Sequence, residues 1–163
     1  MEVKDISFIG GQYIIVNSGV KLGEDKFAKA SYTLCSSTSS PEKISIIVKK
    51  IDKGVCSTHL VENLKVGDKL NFSGPWGAKK FEEFKPNDET LLIATDTGIS
   101  AIIGLLNSDQ TKDCLDKCRI LWLTPSENYF IPLNDLKEMI PAQVRDKVTV
   151  EYIAQPNFSI RVD

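Results

Sequence analysis

The sequence predicts a small antiparallel β barrel followed by a short parallel α/β unit, and three observations carry that prediction. Over residues 1–84, β-branched runs are cut by glycine, proline and serine at intervals expected of a small barrel. Over residues 88–163, strand-length apolar runs alternate with helix-length ones, an order that requires crossover connections and so a parallel sheet. Between them lies the polar stretch Lys85-Pro86-Asn87-Asp88, which puts the domain boundary near residues 82–88.

Taken in order, the first half offers strands at Gln12–Asn17, Ser31–Cys35, Ile44–Ile51 (with Ile46 and Val48 on one face) and Lys69–Ser73. Gly19, Gly23, Ser39-Ser40-Pro41, Gly54, Gly67-Asp68 and Gly74-Pro75 punctuate them. The second half reads as a buried-type strand at Thr90–Ala94, a helix over about Ser100–Asn107, a strand at Arg119–Leu123, a helix near Leu133–Met139 and a strand at Lys147–Ile153. The tail from Gln155 to Asp163 has the pattern of one more short strand.

Composition narrows the functional classes. A length of 163 residues fits one large or two small domains, and an apolar fraction of 42% can fill their cores. The net charge of −2, with both signs interspersed, leaves no footprint for nucleic acid or an anionic membrane. No apolar run approaches the roughly 20 residues of a spanning helix, and Met1-Glu2-Val3-Lys4-Asp5 lacks the features of a signal peptide. A soluble, cytoplasmic protein is the expectation. Cys35, Cys56, Cys114 and Cys118 read as free thiols; Cys114 and Cys118 with the single, distant His59 do not make a metal site, and there is no iron–sulfur ligand run.

Four constellations could carry chemistry. In Lys53-Gly54-Val55-Cys56-Ser57-Thr58-His59-Leu60 a glycine and small residues feed an apolar-periodic helix, and the unpaired N–H groups of such a helix start can seat an anion. Ordinary helix capping is the plainer reading of that stretch alone. Tyr32-Thr33, at a strand end, places a ring that can stack on a flat heterocycle beside a hydroxyl that can hydrogen-bond it; a tyrosine packing on a strand edge is the alternative. Lys49 ends a strand just before the glycine loop, either as a cation beside a pyrophosphate or as part of a basic edge that deters pairing. Finally, Ala94–Ala101, containing Thr97 and Gly98, is a strand–turn–helix at the carboxyl end of a parallel strand, where open α/β sheets bind ligands. His59 suits a surface position better than a proton donor's.

In their order and spacing these motifs resemble the ferredoxin–NADP reductase superfamily, in which a flavin-binding antiparallel barrel precedes a pyridine-nucleotide domain. Lys53–Leu60 is similar to the family's flavin-pyrophosphate segment, Tyr32-Thr33 to the end of its Arg-x-Tyr-Ser/Thr motif, and Gly11-Gln12-Tyr13 to its barrel entry. Val66-Gly67-Asp68 and Gly74-Pro75-Trp76-Gly77 resemble its later turns, and Ala94–Ala101 its Gly-Thr-Gly-Ile-Ala-Pro turn. The resemblance runs from about Phe8 to Ile153.

It implies a flavin-dependent oxidoreductase that passes electrons between NAD(P)H and a protein or small-molecule acceptor through FAD, with FMN as the other flavin. Tyr32 would stack on the flavin ring and Thr33 would face its N5. Lys49, Gly54, Val55, Cys56 and Ser57 would hold the phosphates, and Thr97 and Gly98 would line the nicotinamide approach. No metal is implied.

Departures from the family pattern point elsewhere. Ala30 stands where the family has arginine, and the adjacent Lys29 should point to the other side of a strand. Asp96 replaces the first glycine of the dinucleotide turn and Ala101 its proline; a carboxylate there adds bulk and a repulsion of about 1–4 kcal/mol toward a phosphate. Thr124–Asn128 has no arginine for a 2′-phosphate, and Glu127 would oppose one, which favours NADH over NADPH. Relative to the family the chain is short at both ends, so the barrel is expected to be open or completed by a homodimer mate or another chain. These features define the alternative: a non-catalytic, reductase-like binding or regulatory subunit that has lost dinucleotide binding.

Overall fold

A computed structural model describes residues 1, 6–38, 42–77, 89–109, 111, 118–125 and 129–152. The predicted boundary at 82–88, Cys114 and the tail strand lie outside the described residues.

Tyr13–Lys21 forms β1, the centre of the first sheet, because its alternation buries Ile14, Val16 and Ser18 on one face. Phe27–Thr33 (β2) and Asn71–Trp76 (β3) pair antiparallel on either side of it, giving the order β2-β1-β3. Their shared core is Ile6, Phe8, Ile14, Val16, Leu34 and Ile44, with Tyr32, Leu60, Leu70 and Phe72 packed around it. Helix α1 (Val55–Glu62) contributes Leu60 and lies against β1 and β2.

The strand expected at Ile44–Ile51 is not formed. Only an isolated bridge, Leu34 to Ile46, joins it to a neighbour. Ile44 exchanges both backbone bonds with Met1, its N–H donating to the Met1 carbonyl at 2.9 Å and its carbonyl accepting from the Met1 amino group at 3.0 Å, but Ser45 N–H goes to the Ser36 hydroxyl at 3.1 Å and interrupts the pairing. Ile44 is nevertheless fully buried, so the apolar pattern reported burial correctly and pairing wrongly.

The second half follows the predicted alternation. Strands β4 (Thr90–Thr95), β5 (Cys118–Thr124) and β6 (Val148–Tyr152) form a parallel sheet in the order β4-β5-β6, in register Leu92 to Ile120 and Ile120 to Val148. Helix α2 (Ile99–Leu106) follows β4, and α3 (Leu133–Glu138) follows β5. Ile99, Ile102, Ile103 and Leu106 of α2 share one core with Ala94, Ile120, Trp122, Leu136, Ile140 and Val144. On the sheet's opposite face Leu91 and Ile93 are 59% and 58% exposed. No described helix is long and apolar enough to cross a membrane.

Helix α2 also joins the two halves. A Cβ added to Gly104 would sit 2.2 Å from the Leu34 carbonyl oxygen, and one on Gly10 would sit 2.5 Å from the Gly104 carbonyl oxygen, so backbones of the two halves meet directly there. Asn107 extends the junction, its side-chain amide donating to the carbonyls of Cys35 at 3.3 Å and Met139 at 2.8 Å.

Cys35 belongs to this buried junction, packed in the core of the second half. Burial pushes its thiol from the ordinary 9.0 up to about 12, against a smaller lowering from a hydrogen bond with the Ile47 backbone. The folded state therefore holds this proton where the unfolded chain releases it. The resulting stabilisation is complete below pH 9 and is lost as pH rises toward about 12, at about 1.4 kcal/mol per pH unit. Urea unfolding at a series of alkaline pH values should show this extra slope in the wild type and not in Cys35→Ala; equal slopes would contradict it.

Candidate functional site

Where the two halves meet, a cavity of about 600 Å³ opens, within the roughly 300–1,000 Å³ of small-molecule and cofactor sites. It is lined from the first half by Ala28–Thr33 of β2, Ile47, Lys49 and Ile51 of the extended segment, and Gly54–Ser57 at the start of α1. From the second half come Asp96, Thr97, Gly98, Ser100 and Ala101. All nine residues singled out in the sequence, Tyr32, Thr33, Lys49, Gly54, Val55, Cys56, Ser57, Thr97 and Gly98, line it. Lys29 is among the lining residues as well, and it is exposed.

The wall at α1 is built by local geometry. Lys53 takes a left-handed φ of 58°, and Gly54 N–H donates to the Ile51 carbonyl at 3.1 Å, closing a tight turn into the helix. The first helical hydrogen bond is Thr58 N–H to the Gly54 carbonyl at 2.9 Å, so the amides of Val55, Cys56 and Ser57 precede it and stand at the positive end of the helix dipole. No acidic side chain occupies this first turn. Gly54 has an ordinary φ of −79°, and a Cβ there would meet Ile51 Cγ1 at 2.4 Å and Ser57 Oγ at 2.6 Å. The Ser57 hydroxyl is committed to the turn, donating to the Gly54 carbonyl at 3.2 Å and accepting from Ile51 N–H at 3.3 Å, which leaves its backbone amide as the group that can face an anion.

Opposite, β2 delivers Tyr32. Its hydroxyl donates to Cys56 Sγ at 3.9 Å, tying the ring to the first turn of α1. Burial, reinforced by Cys56, raises the phenol well above its ordinary value, so the ring stays neutral through the physiological range. Thr33 adjoins it where β2 ends.

The α2 side is where Lys49 goes. Its ammonium donates to Asp96 Oδ2 at 2.7 Å and to the Tyr129 hydroxyl, and lies 4.2 Å from the Tyr129 ring centroid. Burial alone would lower its pKa, but Asp96 and Tyr129 outweigh that and raise it. The side chain is 19% exposed, against 45% for Asp96. Lys49 therefore lines the cavity with its charge already paired to Asp96.

Asp96 itself holds the left-handed conformation, φ 49°, that a glycine would take without strain and that aspartate tolerates better than most residues. Its carbonyl accepts the Trp122 indole N–H at 3.0 Å, and its Oδ1 is shielded from solvent with no hydrogen-bond partner among the described residues. Tyr129 escaped the sequence reading. Its position beyond the carboxyl end of β5, where α/β sheets place ligand-facing residues, was the available signal. No group of histidine, cysteine, aspartate or glutamate that could hold a metal occurs among the described residues.

Comparisons with known proteins bear on the family and the fold. Residues 1–81 match the family of oxidoreductase FAD-binding domains. Over 163 residues the chain is 28% identical to the phenol hydroxylase P5 protein of Acinetobacter pittii (strain PHEA-2), covering 95% of this chain and 39% of that protein. It is 31% identical over 98 residues to the glycine betaine monooxygenase reductase subunit of Chromohalobacter salexigens, covering 60% of this chain and 26% of that one. The chain thus spans well under half the length of these relatives. Among solved structures, phthalate dioxygenase reductase, described as modular for electron transfer from pyridine nucleotides to [2Fe-2S], superposes with a TM-score of 0.70 at 18% identity, over 96% of this chain and 45% of its own. The FAD/NAD-binding domain of nitric oxide dioxygenase from Vibrio cholerae gives 0.71 at 20% identity, over 93% and 63%. At these identities the structural matches establish the fold.

Proposed function

We infer that this chain, which belongs to the ferredoxin–NADP reductase superfamily, binds FAD in the cavity between its two halves and relays electrons through it to an acceptor protein or small molecule. The observation that carries this reading is the joining of Tyr32 to the acid-free first turn of α1, a ring wall and an anion seat on one cavity. The residues suit the flavin: three amides at a helix N-terminus for a diphosphate, a neutral tyrosine for a flat ring, and sufficient volume.

When bound, FAD supplies the hydride and single-electron exchange that no side chain here can perform. The protein's contribution is placement. The Val55, Cys56 and Ser57 amides counter the diphosphate charge, the Tyr32 phenol covers a ring face without adding charge, and the Thr33 hydroxyl offers a hydrogen bond at the ring edge. Thr97 and Gly98 border the approach from α2. The acceptor is a redox partner of the kind served by the reductase subunits this chain is similar to.

One observation favours the second reading, a non-catalytic or regulatory reductase-like subunit: the ion pair between Lys49 and Asp96 occupies the α2 side of the cavity. Titration with FAD and FMN, followed by anaerobic addition of NADH and then dithionite, separates the two. Flavin that binds with a perturbed visible spectrum and bleaches with NADH is the oxidoreductase result. A flavin that binds but bleaches only with dithionite, or is reduced only by a donor protein, supports the subunit as far as nucleotide use is concerned. A chain that takes up neither flavin contradicts the flavin reading.

A further inference from the structure

Two helix starts border the same cavity, and they differ in charge. At α1 the amides of residues 55–57 precede the first helical hydrogen bond and no acidic residue stands among them. At the other start the turn Asp96–Gly98, which runs into α2, carries its own carboxylate. The cavity cation closest to that carboxylate, Lys49, is bound to it at 2.7 Å and also hydrogen-bonded and stacked by Tyr129.

We propose that Asp96 is an internal anion that fills the α2 side of the cavity, so that the site accepts one phosphorylated ligand, at α1, and discriminates against a second one, the dinucleotide donor, at α2. This specificity rests on the flavin reading for the identity of the first ligand. Three features make Asp96 a fixed competitor. Its left-handed backbone is held by the Trp122 indole on its carbonyl, its Oδ2 is held by Lys49, and its Oδ1 is enclosed without a partner among the described residues. Strained backbone and unsatisfied buried polar atoms are retained where they serve a site. The charges give the mechanism. A carboxylate at a helix start satisfies the dipole that would otherwise attract phosphate, and it removes the net charge of the lysine beside it. A pyrophosphate arriving there must displace the carboxylate from Lys49 and then remain next to it.

The test is the affinity for NADH, measured by calorimetry on FAD-loaded wild type, Asp96→Asn and Asp96→Gly. Asparagine is nearly isosteric and tolerates the left-handed backbone, so it removes the charge alone; glycine removes charge and bulk. Both variants are expected to bind NADH at least tenfold more tightly than the wild type, with FAD affinity within threefold. Equal NADH affinity in wild type and Asp96→Asn, including the case in which neither binds, overturns the proposal. So does a gain confined to Asp96→Gly, which would make bulk the cause. If FAD fails to bind the wild type, the flavin reading falls on that measurement alone, and the same NADH comparison on the flavin-free chains still decides the role of Asp96.

Discussion

A Gly104→Val substitution should lower the unfolding free energy by roughly 3–5 kcal/mol, at or above the upper end of overpacking effects. Position 104 lies inside α2, where glycine is the poorer helix former by roughly 1 kcal/mol relative to alanine, so local propensity argues for replacing it. Tertiary contact decides otherwise. The first added carbon would stand 2.2 Å from the Leu34 carbonyl oxygen and 3.3 Å from the Gly11 amide nitrogen, both backbone atoms that no rotamer change can move aside. Valine adds two further carbons on the side of the helix where the Leu34 and Gly11 backbones already close on it. Because α2 also carries the Asp96–Gly98 turn at its start, the same change should widen the cavity and weaken ligand binding as it destabilises the fold. Urea denaturation checks the first part. A Gly104→Val protein as stable as the wild type would show that the two halves do not meet at α2.

Val55→Asp should have opposite effects on stability and on binding. Val55 is the first residue of α1, 41% exposed and on the cavity wall. An aspartate there faces the positive end of the helix and should raise stability by about 0.3–1 kcal/mol. The same carboxylate would lie beside the diphosphate, where repulsion at about 5 Å amounts to about 1–3 kcal/mol per phosphate charge across water-like to surface-like dielectrics. FAD affinity should fall about 10- to 100-fold, while Val55→Asn, without the charge, should change it less than threefold. A melting temperature that holds or rises alongside the lost affinity excludes unfolding as the cause. Unchanged affinity would remove the diphosphate from α1.

How much of this was legible in the sequence depended on how far apart the interacting residues lie. The alternation of Tyr13–Asn17 and the apolar face of Ile99–Leu106 each report burial from neighbours only two to four positions away, and both elements form as expected. Lys53–Leu60 was equally readable, since a turn and a helix start are local. Ile44–Ile51 shows the limit. Its side chains carry a strand's pattern, but a strand also needs backbone partners for its amides, and the Ser45 amide goes to the Ser36 hydroxyl instead.

The site was legible in its membership and not in its pairings. Lys49 looked like a cation for a ligand because its partners are 47 and 80 residues away, and neither Asp96 nor Tyr129 announces that contact locally. That a carboxylate stands at this turn could be read from the sequence; that it would be paired with Lys49 could not. Gly54 and Gly104 illustrate the same distinction. Sequence marks a glycine, while only the fold shows whether conformation, a ligand or a neighbouring atom requires it.

The central claim is that the amides opening α1 hold the diphosphate of a flavin whose ring lies against Tyr32. Amide chemical shifts recorded by NMR on the isotope-labelled 18.1 kDa chain during titration with FAD test it most directly. The largest changes should fall on Val55, Cys56 and Ser57, with Tyr32 and Thr33 moving in step and all saturating at one FAD per chain. Adenosine diphosphate should shift the first group and leave the second in place. Saturable FAD binding that leaves residues 55–57 unmoved, or no saturable binding at all, would contradict the account.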